Sequence, residues 1–176
     1  MGKLIIIEGL PGVGKTTLVN AIRNKNIKNL TIIDEIINKK ITDEEIYTED
    51  EFINNDIQKI KSIKDGIVIM DRGLISSFSY SQTKSIIDTS FDLSKANKLF
   101  AEYKDVLKEA KVIYLTNHLE DVKITGQDLN SPYGSKENQE LLENISLYNL
   151  KKYCNNYKVK DYYKKNMEEL IDEIIN

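Results

Sequence analysis

Ile5-Ile6-Ile7-Glu8-Gly9-Leu10-Pro11-Gly12-Val13-Gly14-Lys15-Thr16-Thr17 decides the fold of this chain. Residues 9–16 satisfy G-x-x-x-x-G-K-[ST] at every fixed position. The apolar run Lys3 to Glu8 predicts a short buried strand before the glycines, and Thr17 to Arg23 predicts a helix after them. Strand, glycine turn and helix in that order are the context of a phosphate-binding loop. Glycines let the backbone wrap an anion, and backbone N–H groups at the helix start then face it. Gly9, Pro11, Gly12, Val13, Gly14, Lys15, Thr16 and Thr17 are therefore the expected nucleotide contacts. Lys15 is expected to reach the β- and γ-phosphates, and Thr16 to offer its hydroxyl to Mg²⁺. ATP and Mg²⁺ are the cofactors this implies.

Outward from the loop, strands and helices alternate. Leu30 to Ile33, Ile67 to Met70 and Val112 to Leu115 predict three further strands, with Tyr157 to Val159 as a short edge strand. Helices are predicted over 49–64, 74–82, 92–109, 136–154 and 167–175. This pattern predicts a single three-layer α/β/α domain over residues 1–176, a P-loop NTPase fold with a mostly parallel five-stranded sheet. Ligands of such sheets bind where strands end. The polar strand ends are Glu8, Asp34, Glu35, Asp71, Arg72, Asn117 and His118.

Asp71 closes an apolar strand, as a Mg²⁺-holding Walker-B acid does, although an aspartate before a helix also serves as an N-cap. Arg72 could clamp a transferring or acceptor phosphate, or form a surface salt bridge with Glu35. Glu35 could take a proton from an attacking hydroxyl, or be an ordinary acidic loop residue. Arg23 and Arg72 are the two arginines of the chain, against many lysines.

A net charge of −3 gives no electrostatic case for a nucleic-acid partner or a membrane surface. No apolar run reaches spanning length, and no signal peptide precedes the first strand, so a cytoplasmic location is expected. The single Cys154 excludes an internal disulfide and reads as a half-buried structural thiol. A GTPase switch would carry [NT]-K-x-D after a late strand; Leu115-Thr116-Asn117-His118-Leu119-Glu120 lacks it.

The loop segment, together with Val68-Ile69-Met70-Asp71-Arg72-Gly73-Leu74-Ile75-Ser76-Ser77-Phe78-Ser79-Tyr80, resembles thymidylate kinases and related deoxynucleoside kinases. The resemblance implies transfer of the γ-phosphoryl group of ATP to a nucleoside, nucleoside monophosphate or similar small acceptor. It implies catalytic roles for Lys15, Arg72, Glu35 and Asp71, and an acceptor pocket near Glu35, Phe52, Arg72, Ser76, Ser77 and Tyr80. Phe52 also fits the buried stripe of its helix, and core is the favoured reading there. A homodimer is compatible with the resemblance. Three departures stand out. Pro11 replaces an aspartate usual in thymidylate kinases, which argues against that activity. Gly73 replaces a larger residue. The lid region, about 119–136, has no arginine and offers only Lys123 and Lys136. The arginine-free lid supports a second reading, a nucleotide-binding regulator without transfer activity.

Overall fold

The computed structural model describes residues 2–39, 49–116, 133–161 and 167–175. Among the described residues five strands form one sheet: β1 (Lys3–Gly9), β2 (Leu30–Ile33), β3 (Ile67–Asp71), β4 (Lys111–Thr116) and β5 (Asn156–Asp161). Their order is β2-β3-β1-β4-β5, and every pair is parallel. The mostly parallel sheet of the prediction is thus wholly parallel.

The central strands are buried on both faces, because side chains alternate and both sides are covered. Leu4 and Ile6 of β1, Val68 and Met70 of β3, and Val112 and Tyr114 of β4 enter one core cluster. Ile5, Ile7, Ile69, Ile113 and Leu115 enter the other. The same alternation puts Glu8 on the Leu4–Ile6 face and Asp71 on the Ile69 face.

Helices α1 (Lys15–Asn24) and α7 (Met167–Ile175) cover the Ile5 side, through Leu18, Ile22, Leu170 and Ile174. The opposite side is covered by α2 (Glu49–Lys61), α3 (Leu74–Ile87), α4 (Ser94–Tyr103), the single turn α5 (Val106–Glu109) and α6 (Lys136–Tyr153). Phe100 of α4 joins these, stacking on Phe78 of α3 at 4.0 Å and meeting Tyr153 of α6 edge-on at 4.8 Å.

Two helices differ from expectation. The helix predicted over 92–109 is two pieces, α4 and α5, with a turn at residues 104–105. No glycine or proline marks that break. The helix predicted to stop at Gln82 runs to Ile87. Within its hydroxyl-rich stretch the buried Ser81 and Thr83 satisfy their hydroxyls inside the helix, donating to the Ser77 and Ser79 carbonyls at 3.0 and 2.8 Å. Asn149 of α6 adds hydrogen bonds to Ser79 Oγ (2.9 Å) and Gln82 Oε1 (2.6 Å), so a polar seam joins α3 to α6. Cys154 follows α6 and is buried in the core, which pushes its thiol pKa up to about 12. Among the described residues, no helix is long and apolar enough to cross a membrane.

Candidate active site

The loop between β1 and α1 is anchored from below and open above. Leu10 and Val13 are buried in the core, and Pro11 is buried too, whereas Gly12, Thr16 and Thr17 are exposed. Pro11 and Val13 can therefore meet a nucleotide only through their backbones. Gly14 takes the N-cap position of α1 at φ 93°, a conformation suited to glycine, and no side chain caps the helix. The N–H groups of the first turn are left to an anion. Gly9 has φ 142°, and a Cβ there would stand 2.5 Å from the Leu115 carbonyl oxygen.

Lys15 lies across this loop. It is 4% exposed, and its Nζ donates to the Leu10 carbonyl at 2.5 Å. Burial, then the nearby Arg72 charge, lower its pKa from 10.5 to about 7. Thr16 Oγ1 donates to Asp71 Oδ2 at 3.3 Å, which joins the loop to the end of β3. Asp71 does not cap α3: Gly73 holds the N-cap position, without a side-chain bond. Asp71 Oδ1 is buried and has no partner among the described residues. Its pKa is raised by burial and by Glu35. An orphaned carboxylate oxygen beside a threonine hydroxyl, at the mouth of a phosphate loop, fits a hard cation such as Mg²⁺. Such an ion takes few protein ligands and fills the rest with phosphate and water. No cluster of three acidic, histidine or cysteine side chains competes as a metal site among the described residues.

Arg72 and Glu35 come together here. Arg72 Nε lies 2.7 Å from Glu35 Oε1, in close ionic contact but outside hydrogen-bond alignment. The pair spans the boundary of the site, with the Arg72 side chain 13% exposed and that of Glu35 39%. Its guanidinium donates to the Gly9 carbonyl at 3.2 Å and to Ser76 Oγ at 3.5 Å, and lies 5.8 Å from the Tyr80 ring centre. Burial opposes its charge, but Tyr80, Glu35, Glu8 and Asp71 outweigh burial and keep it cationic. Arg72 also has φ 58°, a left-handed backbone that a bulky residue rarely adopts.

Ser76 is buried, and its hydroxyl and N–H both donate to the Glu8 carboxylate. Glu8 is fully buried, and desolvation raises its pKa from 4.5 to about 7. Tyr80 is half-buried and meets Tyr133 edge-on at 4.6 Å. Phe52 is half-buried beside the stripe of Ile53, Ile57 and Ile60, so the fully buried position belongs to Ile53 rather than Phe52. Asn117, His118 and residues 119–132 of the expected lid lie outside the described residues; Lys136 opens α6 and is exposed.

The sequence reading assigned no role to the polar face of α2. Asn55, Asp56 and Lys59 are buried at 2%, 2% and 0% exposure. Asn55 Oδ1 accepts from the Ile37 and Asn38 N–H groups at 2.8 and 2.9 Å, and its Nδ2 donates to the Glu35 carbonyl at 2.8 Å. Ser77 donates to Asp56 Oδ2 at 2.5 Å. The available signal was three polar residues sharing the turns of the Ile53–Ile57–Ile60 stripe.

No protein-family model matches the chain, and no curated protein matches it by sequence. Solved structures do match. A thymidylate kinase from Candida albicans aligns with TM-score 0.72 at 20% identity, over 99% of this chain and 89% of that one. A deoxyadenosine kinase from M. mycoides with bound dCTP gives 0.66 at 19%, over 98% and 97%. The YorR protein of Bacillus subtilis, in complex with phosphorylated GDP, gives 0.59 at 16%, over 98% and 94%. At these identities the likeness is one of architecture: the chain shares the three-layer fold of these kinases.

Proposed function

We propose that this chain is an ATP- and Mg²⁺-dependent phosphotransferase whose acceptor is a nucleoside, a nucleoside monophosphate or a similar small molecule. One observation carries the reading. Lys15 and Thr16 on the phosphate loop, Asp71 and Arg72 after β3, and Glu35 after β2 converge at one edge of the sheet. Catalysis of this type is mostly positioning and charge neutralisation. The α1 N-terminus and Lys15 would cradle the β- and γ-phosphates. Thr16 and Asp71 would hold Mg²⁺, which would supply positive charge to offset that of the phosphates. Arg72 would meet the phosphoryl group in transfer. Glu35, beside it, would accept the acceptor hydroxyl proton as the new O–P bond forms and the bond to the ADP oxygen breaks.

The chain is proposed to work as one domain, with the lid supplied by the segment near 119–136. The test is a panel of nucleosides and nucleoside monophosphates with labelled ATP, with and without Mg²⁺. Label transfer to one acceptor class, lost without Mg²⁺, is expected. Tight ATP binding with no transfer to any acceptor would overturn the proposal and leave a nucleotide-binding regulator in its place.

A further inference from the structure

We propose that Lys59, on α2 and outside the phosphate loop, is a positioning residue whose buried ammonium sets the spacing of the Glu35–Arg72 pair. The β2–β3 ladder ends at Ile33 and Met70, two residues short of either partner. Beyond that point the sheet no longer ties the two chain segments together. Lys59 does so. Its Nζ donates to the carbonyls of Asp71 at 2.7 Å, Arg72 at 2.8 Å and Glu35 at 3.3 Å, with Asp56 Oδ1 as counter-ion at 3.2 Å.

The Asp71 and Arg72 carbonyls belong to the two peptide groups that flank the Arg72 Cα. One ammonium thus fixes both planes around a residue held at φ 58°. A strained backbone of this kind persists only where its surroundings over-determine it. The third carbonyl carries the restraint across to Glu35, where Asn55 reinforces it at 2.8 Å. Lys59 is 0% exposed, so it cannot be a solvated surface charge. A compact ammonium suits acceptors that converge on one point from two chain segments and Asp56, sharing its three N–H groups among them; a planar guanidinium does not.

The inference rests on the proposed phosphotransfer for its kinetic readout alone. Its structural readout is the Nε–H resonance of Arg72 in ¹⁵N-labelled protein, where Arg23 is the one other arginine and is identified by Arg23→Lys. Lys59→Met is combined with Asp56→Asn so that no unpaired charge is left buried. Lys59→Arg is the second variant, keeping the charge opposite Asp56. Both are first checked for a cooperative melt. In a folded variant the Arg72 Nε–H is expected to shift and to exchange faster. Turnover is expected to fall about 100-fold at unchanged ATP affinity, the scale of a small misplacement. A folded variant with the wild-type Arg72 resonance and wild-type turnover overturns the proposal. If the wild type transfers to no acceptor, the phosphotransfer reading fails, and the Arg72 resonance alone decides whether Lys59 positions the pair.

Discussion

Replacing Glu8 with glutamine should stabilise the protein above neutral pH and not below pH 5. Glu8 is fully buried, and its carboxyl pKa rises from 4.5 to about 7, chiefly through desolvation, with Asp56 adding to it. The folded state therefore holds a proton that the unfolded chain releases between pH 4.5 and about 7. Over that window stability falls as pH rises, and it levels off once Glu8 is ionised in both states. The gap, at about 1.4 kcal/mol per pH unit, amounts to about 3 kcal/mol. Glutamine keeps the shape and an oxygen for the Ser76 hydroxyl, yet carries no charge to bury. The assay is urea unfolding of wild type and Glu8→Gln at intervals from pH 4.5 to 8. The stability of the variant relative to wild type is expected to climb by about 3 kcal/mol across the range. Other titrating groups are common to both proteins and cancel in the difference. A difference independent of pH would refute the reasoning, because it would mean that Glu8 is solvated or compensated in the folded state.

Lys15, lowered to about 7 by burial and by Arg72, should regain its proton when phosphates arrive. Nucleotide binding at pH 8 is expected to take up close to one proton, read by calorimetry in buffers of different ionisation enthalpy; no uptake would contradict the placement. Because the unfolded chain keeps that proton up to about 10.5, Lys15 makes the nucleotide-free protein more stable as pH rises above 7. Lys15→Ala should abolish turnover and the proton uptake while the melt stays cooperative, and activity like wild type would sink the assignment. Gly9→Ala should cost at least about 2 kcal/mol, since its Cβ would meet backbone rather than a movable side chain. An unchanged melting temperature would show that the loop relaxes.

The layers of the fold were legible because the buried strands are uninterrupted apolar runs. Leu30–Ile33 matches its predicted bounds, and β1, β3 and β4 match theirs within a residue or so. The outer strand was less legible: Asn156–Asp161 alternates Tyr157 and Val159 with Lys158 and Lys160, yet both apolar side chains are exposed and mark no buried face. The extra turns of α3 were hidden because serine and threonine read as loop formers, and here their hydroxyls bond within the helix. At the site, the motif placed Lys15 and Thr16, and the strand ends placed Asp71, Arg72 and Glu35. The support beneath them was illegible for a physical reason. Asn55, Asp56 and Lys59 are charged or polar residues on a helix, which ordinarily face water. The backbone groups left free beyond the β2–β3 ladder, with the Ser77 hydroxyl, give them a reason to turn inward.

The strand order also has a consequence for how the chain folds. β1 is made first but sits third in the sheet, between β3 and β4, and pairs with neither β2 nor any other early segment. Its partners are about 60 and 110 residues further along the chain, so its pairings close large loops before any ladder energy is returned. During synthesis the Ile5–Ile7 run has no partner on its β3 side until residue 71 has emerged, and none on its β4 side until residue 116 has. The backbone of Gly9 rests against Leu115, so the glycine loop is the earliest part of the candidate site to be synthesised and one of the latest to acquire its floor.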